Sequence, residues 1–346
     1  MIRSLLICSG LMVALLGGCG QGAKDAGKEP QQEIATFRSP VALQGDEVIY
    51  EAKKLLLAGN FTALEQRMAQ YRRSGEAHLD GGSKLLLTYQ GVAWNADNTQ
   101  EWQKLHQQLE AWRKQMPQSI SAPIALAFSY CHAYSFLRNN MRKSDKPEVI
   151  DQQTQQYLKR AKEILEANKA SRKQCVGWFY TAHFAYSAQA ESLETYNSIQ
   201  DEGEKLYPKY DQLKFNRLDY LMRQASQQAG PWRLYLTNVA AKEGKNGDIL
   251  AARMIWFVIT HQVPTLNKLL TTEYDWPRVK RGFEQLMNLP DTEIDAVAGA
   301  YAKAAWYQND RATARPLFER YIKNRADRRV WVGPEEFTDA RNWALQ

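Results

Sequence analysis

The sequence predicts an all-α protein, and three observations carry that expectation. Apolar residues recur at spacings of three and four almost everywhere after Asp46, which lines them along one face of a helix. The breaks between these stretches hold Asn, Asp, Ser, Pro and Gly, the residues that start and stop helices. No run of alternating β-branched residues bounded by turns occurs, so no substantial sheet is expected.

Residues 20–45 are dominated by Gly, Gln, Lys, Glu and Pro. Such a stretch buries too little surface to offset its ordering and reads as a flexible tether. Beyond it, Phe61, Leu64, Met68 and Tyr71 form one stripe, and Trp102, Leu105, Leu109, Trp112 and Met116 another. Asn98 with Glu101 forms a capping pair for the second stripe. Pro117 ends it by biasing Met116 away from helical geometry. Ser121 is the expected cap of the next helix, with Pro123 tolerated in its first turn.

Further helices are expected over Glu148–Asn168, Val176–Ala188, Leu193–Leu206, Asp211–Gln228, Trp232–Lys242 and Asp248–His261. Four more follow over Pro277–Met287, Glu293–Tyr307, Ala312–Lys323 and Pro334–Trp343. That makes roughly fourteen in all, joined by short loops. The helix through Trp178, Phe179 and Phe184 is apolar nearly all round, so a central place is expected for it.

A local grammar repeats along the chain. Gly59-Asn60-Phe61 is followed by Leu64 and Met68, Gly247-Asp248-Ile249 by Ala252 and Trp256, and Asn309-Asp310-Arg311 by Ala314 and Phe318. Each is a tight turn, a helix start, a packing residue and a large residue four positions later. This resembles the middle of a tetratricopeptide repeat, and the best copy is Ala298–Tyr321. The copies keep no strict 34-residue period. The resemblance implies a degenerate tetratricopeptide-like array of helical hairpins, an α-solenoid.

A second set of residues includes Gly59-Asn60-Phe61-Thr62-Ala63-Leu64-Glu65, Asp80-Gly81-Gly82-Ser83-Lys84-Leu85, Met116-Pro117-Gln118-Ser119, Tyr207-Pro208-Lys209-Tyr210 and Gly230-Pro231-Trp232. Together these resemble a bacterial helical family catalogued only as a domain of unknown function, over roughly Asp46 to Trp256. That family implies a helical fold and no assigned chemistry.

The N-terminus begins with Arg3 and an apolar run from Leu5 to Leu16, then Gly17-Gly18-Cys19. A charged start, a short apolar core and small residues before a cut site mark a removed signal. The run is too short to span a bilayer, which takes about 20 residues. Leu16-Gly17-Gly18-Cys19 resembles the lipobox of bacterial lipoproteins. The resemblance implies a signal peptide over 1–18, lipid on Cys19 and a place in the cell envelope. Gly20, rather than Asp, resembles the default signal for an outer-membrane protein facing the periplasm in a Gram-negative source. The expected organisation is therefore a signal at 1–18, a lipid tether at 19–45, a helical domain at 46–230 and C-terminal hairpins at 231–346, continuous with it.

Charged residues make up 24% of the chain and the formal net charge is +7, values that suit solubility. Secretion argues against nucleic acid as a partner. Signal cleavage and lipidation leave Cys131 and Cys175 as candidates for a disulfide in an oxidising compartment. No Cys-x-x-Cys spacing occurs, so no metal and no cofactor are expected. Cys131, His132, Cys175 and His183 lack ligand spacing. Cys131 and His132 are adjacent, and adjacent helical residues do not share a face. His183 reads as a hydrogen-bonded core histidine.

His78 and Asp80 are the one close His/Asp pair and the weak candidates for a polar site. Asp80 or Ser83 reads equally as a cap for the helix through Leu85. Asp291, Glu293 and Asp295 sit at a helix start and complement its dipole. Lys323, Arg325, Arg328 and Arg329 form a basic run, read as solvated or as a docking patch. Trp102, Trp112 and Trp256 fall on core stripes. No residue is expected to be catalytic. The functional expectation is a membrane-tethered helical-repeat adaptor that binds a protein of the envelope, as an inhibitor or immunity protein does. The alternatives are an envelope enzyme with a cleft near His78 and Asp80, or a pocket protein for a small ligand.

Overall fold

The computed structural model describes residues 34–93, 96, 98–141, 147–188, 193–224, 230–261, 264–272, 274–290 and 293–346. The expected signal peptide, Cys19, the expected tether up to residue 33 and Asp291 lie outside the described residues.

The protein is all-α, with sixteen α-helices and two three-residue strands among the described residues. The first eight helices are α1 (Pro40–Leu57), α2 (Phe61–Ser74), α3 (Lys84–Ala93), α4 (Thr99–Gln115), α5 (Ser121–Met141), α6 (Pro147–Ala167), α7 (Gly177–Ser187) and α8 (Leu193–Leu206). The second eight are α9 (Asp211–Gln224), α10 (Gly230–Lys242), α11 (Gly247–Thr260), α12 (Pro264–Leu269), α13 (Trp276–Met287), α14 (Ile294–Tyr307), α15 (Arg311–Leu317) and α16 (Pro334–Leu345). α12 is too short to show a period in the sequence.

Two of the three repeated turns cap a helix with a side chain, while the turn at Gly247 makes no side-chain cap. Asn60 and Asp310 accept hydrogen bonds from the backbone of Ala63 and Thr313, capping α2 and α15. Leu64, Met68, Ala252, Trp256, Ala314 and Phe318 are all buried behind those turns. Asn98 caps α4 through the Glu101 amide, as its spacing predicts. α5 differs from expectation. Ser119 Oγ accepts from the Ala122 amide, while the Ser121 hydroxyl receives Arg72 Nη1 at 2.8 Å. Ser121 is itself in the helix, so the residue two before it makes the cap.

Residues 34–346 form one compact unit with two hydrophobic cores. The first gathers α1 to α7 around Trp112, Phe128, Trp178 and Phe179. The second gathers α9 to α16 around Trp232, Ile255, Phe283, Phe318 and Phe337. α9 serves both, with Leu213 in the first and Phe215, Leu218 and Met222 in the second. The cores therefore change over on α9. α7 and α11 are buried along nearly their whole length, as an all-round apolar helix must be.

The residues just before Asp46 are ordered rather than free. Strand β1 (Ala35–Phe37) pairs in parallel with β2 (Arg325–Asp327). Pro40 opens α1, and Val41 is buried in the second core. Glu293 supplies the cap that Ser39 does not, as its Oε2 accepts from the Val41 amide at 2.7 Å. Tether composition hid this because the docking partner lies at the other end of the chain.

Candidate functional site

Where the two cores meet, a cavity of about 560 Å³ opens. This lies in the range of small-molecule sites, roughly 300–1,000 Å³. Both candidates His78 and Asp80 line it. They belong to a loop that the local sequence makes rigid. The His78 amide donates to the Gly82 carbonyl, the Gly81 amide to the His78 carbonyl, and the Gly82 amide to Asp80 Oδ1 at 2.9 Å. Gly81 has φ +85°, and a Cβ there would strike the Phe215 ring, so the turn requires glycine. Arg253 on α11 clamps the loop by donating to the Leu79 carbonyl and to Asp211. Asp80 caps its own turn, and Ser83 Oγ faces the Leu86 amide at 3.5 Å.

Five helices present one face each to the cavity. α1 gives Val41, Gly45 and Ile49, and α3 gives Leu87 and Gln90. α7 gives Tyr180, His183 and Phe184, and α11 gives Phe257 and Thr260, with His261 just after it. α9 gives Gln212, Asn216, Asp219 and Arg223, a polar row one helical face wide. His132 of α5 and Arg329, just after β2, complete the wall.

The charges of this wall are matched within it. Arg223 grips Asp219 through two bonds of 2.6 and 3.0 Å. Arg329 stands 3.7 Å from Asp80. Four histidines line the cavity, and burial holds His78, His132 and His183 toward the neutral form. His132 is pushed down to about 3 and His183 to about 4. His183 Nδ1 lies 2.9 Å from the Tyr196 hydroxyl, the hydrogen-bonded histidine its setting suggests. His261 is exposed, and its Nδ1–H donates to the Phe257 carbonyl at 2.8 Å, which leaves Nε2 as an acceptor.

His78 Nε2 and Asn216 Nδ2 are buried without a hydrogen-bond partner among the described residues. Asn216 Oδ1 is already taken by Gln212. An unmet buried donor or acceptor costs about 1–3 kcal/mol, so a folded chain keeps such atoms where something can meet them.

His78 and Asp80 share the cavity but do not form a base-and-orienter pair. The carboxylate is spent on Gly82 and Arg329. Neither serine nor cysteine lines the cavity among the described residues, and the Thr260 hydroxyl donates to the Phe257 carbonyl. No group of three or more His, Cys, Asp or Glu among the described residues is placed to hold a metal ion.

The remaining candidates lie elsewhere. Cys131 and Cys175 are buried free thiols in different settings. Burial pushes the Cys131 thiol up to about 12. Cys175 Sγ is 3.3 Å from the Tyr89 hydroxyl. In the basic run, Arg325 pairs with Asp295 and covers the Phe37 ring, and Arg328 donates to Thr36. Those arginines fasten β1 in place. Trp102, Trp112 and Trp256 are buried.

Sequence reading weighed His132 only as a metal ligand and missed His261 and the polar row of α9. Only the row left a signal, four polar residues on one face, which looks like a solvated surface until the fold closes over it.

The chain matches none of the known family models, curated proteins or solved structures it was compared with.

Proposed function

We propose that this chain is a lipid-anchored protein of the bacterial envelope that holds a small molecule in the cavity between its two cores. The observation that carries the reading is a cavity of ligand size whose wall keeps two buried, unpartnered polar atoms, His78 Nε2 and Asn216 Nδ2. Ligand sites favour such junctions, with apolar walls and a few placed polar groups. The lipobox around Cys19 supports the anchor. The buried positions behind the three repeated turns support a degenerate tetratricopeptide-like hairpin array.

Native mass spectrometry of protein gently extracted from its own membranes tests the pocket. A small-molecule adduct is expected on the wild type and not on Thr260→Trp, which fills the cavity from α11. A bare wild-type chain overturns the reading.

One observation favours the adaptor reading as a second activity. Leu43, Tyr50 and Leu57 are exposed on α1 at seven-residue intervals, so they share one face of that helix. Such a row suits the helix of a partner protein in the envelope.

A further inference from the structure

We propose that the cavity takes an uncharged, polyhydroxylated ligand, a mono- or disaccharide by its chemistry. This rests on reading the cavity as a ligand site, and it follows from what the wall offers and what it withholds.

Charge is the first constraint. The lining side chains that carry charge are Asp80, Asp219, Arg223 and Arg329, two of each sign, and each faces a partner in the wall. An anion or a cation entering there would lose its hydration without an uncommitted counter-charge to replace it. The imidazoles of His78, His132 and His183 add none, because burial holds them toward the neutral form.

Hydrogen bonding is the second constraint. The wall mixes donors and acceptors, namely imidazoles, carboxamides, a phenol and carboxylates. Asn216 Nδ2 is an amide donor without a partner, and His78 Nε2 is a ring nitrogen without one. A hydroxyl group donates and accepts, so a ligand built of hydroxyls meets both atoms whichever tautomer His78 holds. Both atoms are covered, so each meets a ligand through a turn of its side chain. An alkyl chain would leave Asn216 Nδ2 and His78 Nε2 unpaired.

Shape is the third constraint. Phe184, Phe215 and Phe257 line the same space. Aromatic faces give apolar area with fixed geometry, and the C–H face of a sugar ring packs flat against them while its hydroxyls point to the rim. Most of such a ligand is enclosed in about 560 Å³.

Saturation-transfer NMR on the full chain in a sugar-free detergent tests this. The probes are glucose, N-acetylglucosamine, maltose and trehalose in one mixture, and decanoate, adenine, putrescine and inorganic phosphate in another. A saccharide signal is expected, with affinity about tenfold weaker in Asn216→Leu, the loss of roughly one hydrogen bond to the site. Circular dichroism confirms that the variant is folded, and Gln212→Ala serves if it is not, because Gln212 orients the Asn216 amide. Saturation of adenine, decanoate, putrescine or phosphate alone, weakened by the same variants, overturns the saccharide and leaves the pocket. Silence from both mixtures overturns the saccharide and the pocket together. A saccharide signal unchanged in both folded variants places the sugar elsewhere and also overturns the proposal.

Discussion

Glu293 caps the first helix from the far end of the chain. Its Oε2 accepts the Val41 amide at 2.7 Å, and its Oε1 receives the Gln44 carboxamide. The carboxylate satisfies an orphan donor of α1 and places negative charge at the positive end of the helix. It also holds Val41 where it lines the cavity. Glu293→Ala should cost about 1 kcal/mol. Hydrogen exchange should speed up at Val41 and along β1 before it changes in α5 or α7. An unchanged exchange rate at Val41 would remove the cap from the account.

Lys303 makes the comparable contact inside the second core. It is wholly buried on α14, with Nζ 2.8 Å from Glu336 Oε2 and 2.7 Å from the Val330 carbonyl. The Trp331 ring lies beneath it. Removing one partner of such a pair leaves a buried charge uncompensated. Glu336→Ala should therefore lower stability by about 3–5 kcal/mol, whereas Lys303→Met with Glu336→Leu should recover most of it. Denaturant unfolding of the two proteins measures both. Equal stability of the single and double variants would show that the charge is met in another way.

The anchor is tested at Cys19. Cys19→Ser should move the protein from the membrane to the soluble fraction. No described helix is long and apolar enough to cross a membrane, so the acyl chains are the proposed attachment. A Cys19→Ser protein that stays fully membrane-bound rules the lipid anchor out. Recovery of the wild type with inner rather than outer membranes rules out only the sorting that Gly20 suggests.

Local chemistry made much of the fold legible. The Leu193–Leu206 helix has the bounds its pattern gives, and Asn60, Asn98 and Asp310 cap as their positions suggest. Whatever depended on distant partners stayed hidden. Residues 35–41 carry a tether-like composition and dock because Arg325, Arg328 and Glu293 meet them. The site was half visible. His78 and Asp80 stood out as a pair, but the Asp80 carboxylate bonds the Gly82 amide and faces Arg329. What matters is the space they share with α7, α9 and α11. A polar face such as Gln212, Asn216, Asp219 and Arg223 has the same pattern whether it meets bulk water or an internal cavity. Only the packing of the other helices distinguishes the two.

The thiols give a direct check on packing. Cys131 lies on α5 and Cys175 just before α7, and both are buried and free. Under the proposed signal cleavage at Cys19 and its acylation, these two remain for labelling. Alkylation of the folded protein should label neither, and unfolding without reductant should expose two reactive thiols. Labelling that appears only after reduction would instead establish a Cys131–Cys175 disulfide.

Acid should unfold this protein earlier than its carboxylates alone would require. His106, His132 and His183 are buried, and desolvation lowers them to about 4, about 3 and about 4. In the unfolded chain each titrates near its ordinary value of about 6.5. Between those values the unfolded state takes up protons that the native state refuses. Their contribution is whole above about pH 6.5 and is lost as the pH falls toward the folded values. Each such imidazole gives a slope of about 1.4 kcal/mol per pH unit within that window. Urea unfolding at pH 7.5, 6 and 5 should show stability dropping before most carboxylates protonate. His132→Gln and His183→Gln should each flatten the slope even if they lower stability at pH 7.5. A stability that stays level from pH 7.5 to 5 would mean these rings are already protonated or hydrated in the native fold, and the neutral cavity wall would have to be given up with them.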